Sequence, residues 1–148
     1  MSVPRDLKRK ALRELSDNEN PLVIAYFRMI RAFNENDLGA VQALLHEDVV
    51  YTIPGHSPIA GTARGVSQHL AQLQKARALS NNTLRLEPSD VVASAERLFV
   101  YGRITAQRGD RRLDSEHLVV FRFVGGRIVE GRTVPVDLYE FDAFWAEP

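Results

Sequence analysis

The sequence predicts an α+β fold, with helices packed on a mainly antiparallel sheet. Two observations carry this. Amphipathic helical patterns occupy the chain as far as Leu79, and four strand-like runs follow. Those runs are joined by pairs of turn residues at Ala95-Glu96, Gly109-Asp110 and Gly125-Gly126. Turns that short allow only antiparallel neighbours, and helices followed by a meander do not build a parallel α/β sheet.

Each element has its own signal. Residues 4–16 read as a short amphipathic helix, with Pro4 in its first turn and Leu7, Ala11, Leu12 and Leu15 on one face. Its basic face, Arg5, Lys8, Arg9, Lys10 and Arg13, reads as a solvated surface on an extension covering residues 1–18. A single domain, residues 19–148, follows. Asn20-Pro21 opens a stronger helix, with Asn as cap and Pro at the first position. Leu22, Tyr26, Met29, Ile30 and Phe33 recur along it at helical spacing. Leu38, Val41, Leu44 and Leu45 predict a second short helix, "VVYTI" a strand, and Val66, Leu70 and Leu73 a third helix running to Leu79. Residues 83–94, 96–107, 111–124 and 127–137 supply the four strands.

Alternation sorts the sheet into two faces. On the second long strand, Phe99, Tyr101, Arg103 and Thr105 share one side, expected to face inward. Leu98, Val100, Gly102 and Ile104 share the other. On the third, His117, Val119, Phe121 and Phe123 oppose Leu118, Val120 and Arg122. Both faces are largely apolar, and the helices cover only one. A second copy is the simplest cover for the other, through Val100, Ile104, Leu118 and Val120.

Composition removes several function classes. A chain of 148 residues with zero net charge has no global field to recruit nucleic acid or an anionic membrane. Without cysteine there is no disulfide framework or thiolate chemistry. The first residues lack the apolar stretch of a signal peptide, and no apolar run has membrane-spanning length, so a cytoplasmic location is expected. The histidines at 46, 56, 69 and 117 have neither His-x-His nor His-x₃-His spacing, so no metal site is expected. There is no glycine-rich phosphate loop after a strand, so no nucleotide or flavin cofactor is expected either.

The stretches "YFRMIRAFNENDLGAVQALLHEDVVYTIPG", "IAGTARG", "VVFRFVGGRIVEG" and "DLYEFDAFW" occur in that order and cover about half the chain. Together they resemble the SnoaL-like polyketide cyclases, within the larger group shaped like nuclear transport factor 2 and ketosteroid isomerase. The resemblance implies a strongly curved sheet wrapped on three helices around one deep pocket, and dimerisation through the outer sheet face. It also implies where catalytic groups belong. The isomerases' aspartate base falls at Ile53, their oxyanion acid at Val119 and their tyrosine near Met29. All three positions are apolar here, so the proton carriers of that chemistry are missing. The related epoxide hydrolases need an Arg-x-Asp where this chain has Arg103 and Thr105, and a second aspartate where it has Thr133. Cyclases of the family carry an aspartate on the last strand, for which Asp137 is the candidate.

The expected pocket therefore holds Tyr26, Tyr51, Ile53, Phe99, Tyr101, Arg103, Thr105, His117, Val119, Phe121 and Thr133, opening near His56. His117, Arg103 and Asp137 are the candidate catalytic groups. Alternatives stand beside several of these. His117 reads as a pocket base or as a core histidine, Asp137 as acid and base or as a cap for "LYEFDAFW", and His56 as a pocket-mouth contact or an exposed loop residue. A buried Arg103 needs an anionic or carbonyl partner. The expected function is cofactor-free cyclisation of an apolar, polyketide-like molecule by confinement and carbonyl polarisation. Its rivals are a non-catalytic binder of the same fold, or an acid/base isomerase or aldol-type cyclase using His117 with Asp137.

Overall fold

A computed structural model describes residues 20–147. The expected helix over 4–16 lies outside the described residues. Four helices, α1 (Pro21–Asn34), α2 (Leu38–Gln42), α3 (Val66–Leu79) and α4 (Leu138–Trp145), pack with six strands. The strands are β1 (Leu45–Ile53), β2 (Gly61–Arg64), β3 (Arg85–Ala93), β4 (Arg97–Arg108), β5 (Arg111–Val124) and β6 (Arg127–Pro135). They form one sheet in the order β2-β1-β6-β5-β4-β3. Every neighbouring pair is antiparallel except β1 with β6.

Local chemistry starts the helices. The Asn20 side chain accepts from Leu22 N at 2.9 Å, and Pro21 occupies the first turn. Asp37 caps α2 through Ala40 N at 3.1 Å. α1 buries Val23, Tyr26, Met29, Ile30, Ala32 and Phe33 against the sheet. Its end is tied to β3 by Asn34, whose amide donates to Leu86 O and accepts from Leu86 N. The buried Arg77 of α3 donates to Phe33 O and lies 4.7 Å from the Phe33 ring centroid. This places a cation at the negative end of the α1 dipole and on an aromatic face, which offsets its burial without a carboxylate.

The sheet is curved, and register shifts lie in three of its pairs, at Leu45/Val50, Pro88/Asp90 and Arg122/Phe123. Such shifts bend the strands that carry them. Glycines serve the same packing. Gly131 lies beneath the Tyr51 ring, which a Cβ there would strike. A Cβ on Gly102 would come within 2.9 Å of Pro88 Cα on β3.

Several elements differ from the sequence reading. Leu45 begins β1 and does not end a helix, and β1 starts well before "VVYTI". A short strand, β2, occupies Gly61–Arg64, where only a rim loop was expected. The last strand stops at Pro135, and a fourth helix follows.

The largest correction concerns β4. Its inward row is Leu98, Val100, Gly102, Ile104 and Ala106, paired with Phe121, Val119, His117, Ser115 and Leu113 of β5. Phe99, Tyr101, Arg103 and Thr105 therefore face outward. Val100 and Ile104 belong to the core, not to the outer face assigned to them, whereas Leu118 and Val120 do lie on that outer face. The physical reason is the charge on the first row. Burying Arg103 is expensive, and outside it forms a two-pronged pair with Asp114, both contacts at 2.7 Å.

The close approach at Gly102 makes a direct prediction. Gly102→Ala forces β3 and β4 apart at the Pro88 register shift. It should cost about 1–3 kcal/mol, a fall of several degrees in Tm for a chain this size. Thermal denaturation followed by circular dichroism measures it; an unchanged Tm would mean β3 is free to move aside.

Candidate functional site

Between the inner sheet face and helices α1, α3 and α4 lies a cavity of about 90 Å³. Its wall is mostly apolar, including Met29, Ile53, Leu73, Ile104, Val119 and Phe121. No carboxylate, lysine or arginine lines it among the described residues. Its polar groups are Tyr26, Tyr51, His69, Gln72, His117, Thr133 and Trp145.

These groups come from distant parts of the chain. Tyr51 projects from β1 and shares a hydrogen bond with Thr133 Oγ1 of β6 at 2.6 Å. His69, one helical turn after Val66, stacks on the Tyr51 ring with centroids 4.4 Å apart. Gln72 Oε1 lies 3.3 Å from His69 Nδ1. His117 is 3 % exposed, and its Nδ1 has no partner. Trp145, 1 % exposed, likewise has an unpartnered Nε1. Each such buried polar atom costs about 1–3 kcal/mol while unmet.

Helix α4 closes the cavity through Phe141 and Trp145, and its position is strongly specified. Asp137 caps it, accepting from Glu140 N at 3.0 Å. At its other end Arg108 donates to Phe144 O and Ala146 O, and Arg111 to Ala146 O at 2.6 Å. The two cations complement the negative end of the helix dipole. The carboxylate of Asp142 accepts from the backbone of His56 at 2.9 Å and of Ser57 at 3.0 Å. That contact holds the loop over residues 54–60 against α4. Gly55, at φ +104, is needed there, because a Cβ would strike Asp142.

Burial sets the charge state of the wall. Desolvation lowers His117 to about 4, so its ring is neutral near pH 7. Desolvation also lowers His69, opposed by its contact with Gln72. Tyr51 is pushed up to about 12 by burial, against the opposing Thr133 hydrogen bond. Tyr26 is raised further by burial, with the nearby Tyr51 adding to the effect. All four groups are uncharged at neutral pH.

Of the expected pocket residues, the structure brings together Tyr26, Tyr51, Ile53, His117, Val119, Phe121 and Thr133. Phe99, Tyr101, Arg103 and Thr105 are not among them. Tyr101 donates to Glu116 on the outer surface, and Arg103 sits between Asp114 and Glu87. Asp137 is an exposed helix cap and does not reach the cavity, so a His117–Asp137 acid/base pair has no geometry here. His56 is exposed and borders a surface hollow with Ser57, Pro58 and Asp142. His69, Gln72 and Trp145 were missed. The helical spacing through Val66, Leu70 and Leu73 placed His69 beside the apolar face of α3, and that was the available signal. Trp145 had none beyond the apolar "FDAFW".

A curved sheet closed by helices over one apolar cavity defines a class of small pocket proteins. A family model for the SnoaL-like domain matches residues 26–131, well over half the chain. The chain belongs to the SnoaL-like domain family. Bal32a, from a soil-derived mobile gene cassette, is 32 % identical, with a TM-score of 0.82 over 84 % of this chain and 96 % of that one. An NTF2-like protein of unknown function from Burkholderia pseudomallei K96243 is 24 % identical, with a TM-score of 0.79 over 86 % of this chain and 99 % of that one. A putative SnoaL-like polyketide cyclase from Jannaschia sp. CCS1 shares the fold at 14 % identity, with a TM-score of 0.71 over 86 % and 94 % of the two chains. No curated protein matches the chain.

The state of His117 is measurable. An unfolded imidazole takes a proton near the ordinary value of 6.5, whereas the folded one resists until about 4. Its contribution to stability is therefore fully present above the unfolded value. It is lost as pH falls through the folded one, by about 3 kcal/mol in total. Histidine nitrogen NMR should show a neutral His117 ring at about pH 6. Thermal stability should fall between about pH 6.5 and 4, less steeply in His117→Phe. Parallel losses in the two proteins would mean that His117 is not the group being titrated.

Proposed function

We propose that the protein is a cofactor-free cyclase of a small, largely apolar molecule of the polyketide type, acting by confinement. The observation that supports this most is the charge state of the cavity: among the described residues no carboxylate lines it, and burial favours the neutral form of each titratable lining group. A general base works best with a pKa near the operating pH, and His117 at about 4 is far below it. What the cavity offers instead is exclusion of water, a fixed shape and hydrogen bonds that polarise a carbonyl. Ring closures that need no strong base, such as cycloadditions, fit that offer. They move no net atoms, so substrate and product have equal mass.

Size bears on the substrate. A cavity of about 90 Å³ is smaller than the ~150 Å³ engineered space that takes benzene. A ring therefore enters as flexible wall side chains such as Met29 and Leu73 give way. A second reading, a binder without turnover, draws on the same lack of a proton carrier. The proposal also includes a partner: a second copy packed on the outer sheet face through Phe99, Leu118, Val120 and Val134. Phe99 and Val134 are 38 % and 39 % exposed there. Large apolar side chains grouped on one face favour such an interface.

The single tryptophan of the chain lines the cavity, so its fluorescence reports occupancy directly. Saturable quenching of Trp145 by a linear polyene ketone, with conversion to a chromatographically distinct product of equal mass, is the expected result. His117→Gln should slow conversion about ten- to a hundredfold, the loss of one polarising contact, about 1.4–2.7 kcal/mol. The rate should be flat between about pH 6 and 8. A bell-shaped profile in that window would overturn confinement. Quenching without product after long incubation would make the protein a binder. For the partner, sedimentation equilibrium at micromolar concentration should give twice 16.7 kDa, and Val120→Glu should return it to a single chain.

A further inference from the structure

Helix α4 and the loop over residues 54–60 meet along one seam, and the seam has two sides. On the inner side Ile59 of the loop and Phe141 and Trp145 of α4 line the cavity. On the outer side His56, Ser57 and Pro58 of the same loop line a surface hollow of about 400 Å³, together with Asp142 of α4 and Ala146 just beyond it. The same two segments therefore separate the hollow from the cavity.

The two halves of the seam are held differently. α4 is fixed at both ends, by its Asp137 cap and by the contacts of Arg108 and Arg111 with its last carbonyls. Among the described residues, the hydrogen bonds that tie the loop to another element run from His56 N and Ser57 N, and both end on the Asp142 carboxylate. A further bond, from Ala60 N to Ser57 O at 3.0 Å, stays within the loop. Gly55 at φ +104 and Gly61 at φ +119 stand on either side of the latched residues, in backbone conformations that glycine adopts freely. Apolar burial completes the seal, with Ile59 only 3 % exposed in the cavity wall.

We propose that this loop is the door of the cavity and that Asp142 is its latch. When the two backbone N–H groups leave the carboxylate, the loop turns on Gly55 and Gly61. Ile59 then withdraws from the wall, and the hollow opens into the cavity. His56 is exposed and Asp142 half-buried, so water in the hollow replaces the broken bonds. Short hinges at the ends of a rim segment are a common way to admit a ligand to a closed site. Access is a separate property from any reaction inside, so either can fail alone.

The test needs no ligand. The single tryptophan of the chain lines the cavity, so quenching of its fluorescence by acrylamide, a small neutral probe, reports how often the door is open. In the parent chain quenching should be far slower than for free tryptophan. Asp142→Ala removes the latch from the helix side. Gly55→Ala removes it from the loop side, because a Cβ there strikes the Asp142 carboxylate. Each should raise the quenching rate constant about tenfold, the gain in open fraction when a hydrogen bond to a charged group is lost. Backbone amide exchange within α4 should stay as in the parent, because the helix keeps its end contacts. If quenching is unchanged in either variant, or the parent is quenched as readily as free tryptophan, there is no latched door. If the α4 amides speed up together with quenching, Asp142 only docks the helix and the proposal falls. Latch-dependent quenching in a chain that binds no polyene ketone supports the door and counts against the cyclase alone.

Discussion

The ladder between β4 and β5 is the constraint from which the site follows. It runs in unbroken register from Arg97 opposite Arg122 to Arg108 opposite Arg111. Side chains alternate with period two, so this register decides at once which row of each strand meets the helices. It sets Gly102 against His117 and Val100 against Val119. Gly102 lets β3 approach closely, and His117 reaches the cavity wall from the opposing strand. A slip of one residue would place Arg103 inside without a partner and expose Leu98 and Val100, two of the most deeply buried side chains. Fully burying such side chains is worth about 1.5–3 kcal/mol each, so the observed register is strongly preferred.

The second dependence is on α4. Its apolar side chains Phe141, Phe144 and Trp145 meet edge to face, with Phe144 and Trp145 ring centroids 4.8 Å apart. Aromatic packing alone leaves a short helix poorly positioned, and eight residues make only about two turns. Asp137 at one end, Arg108 and Arg111 at the other, and Asp142 on the side supply the missing direction. Polar groups on the outside of α4 thus determine where an apolar wall stands on its inside.

Burial then gives the cavity its chemical character. Removing water from His69, His117, Tyr26 and Tyr51 favours the neutral form of each, whichever direction its pKa must move to reach it. The result is a wall that polarises without carrying charge. This is also why family membership leaves the reaction open. The fold provides a confined space, while the chemistry depends on side chains that this chain has replaced, with Ile53 and Val119 at two positions where proton carriers are implied by the resemblance.

The sequence by itself determined the class of fold, the cap at Asn20, the inward row of β5 and the family, whereas it left Asp137 open between a cap and a catalytic group. Each of these rests on local signals: helical or alternating spacing, turn residues, and side chains that bond backbone two or three positions away. The inward row of β4 was also within reach, because the charge of Arg103 argued against burial. Both rows were apolar enough to pass, however, and the resemblance set Arg103 and Thr105 at pocket positions. The stacking of His69 on Tyr51, the bond from Tyr51 to Thr133 across 82 positions, and the place of Trp145 were decided only in three dimensions. They depend on β1 pairing in parallel with β6 and on α4 folding back over the sheet. No local pattern encodes either event, because both are contacts between segments far apart in the chain whose partners are chosen by how the whole core packs.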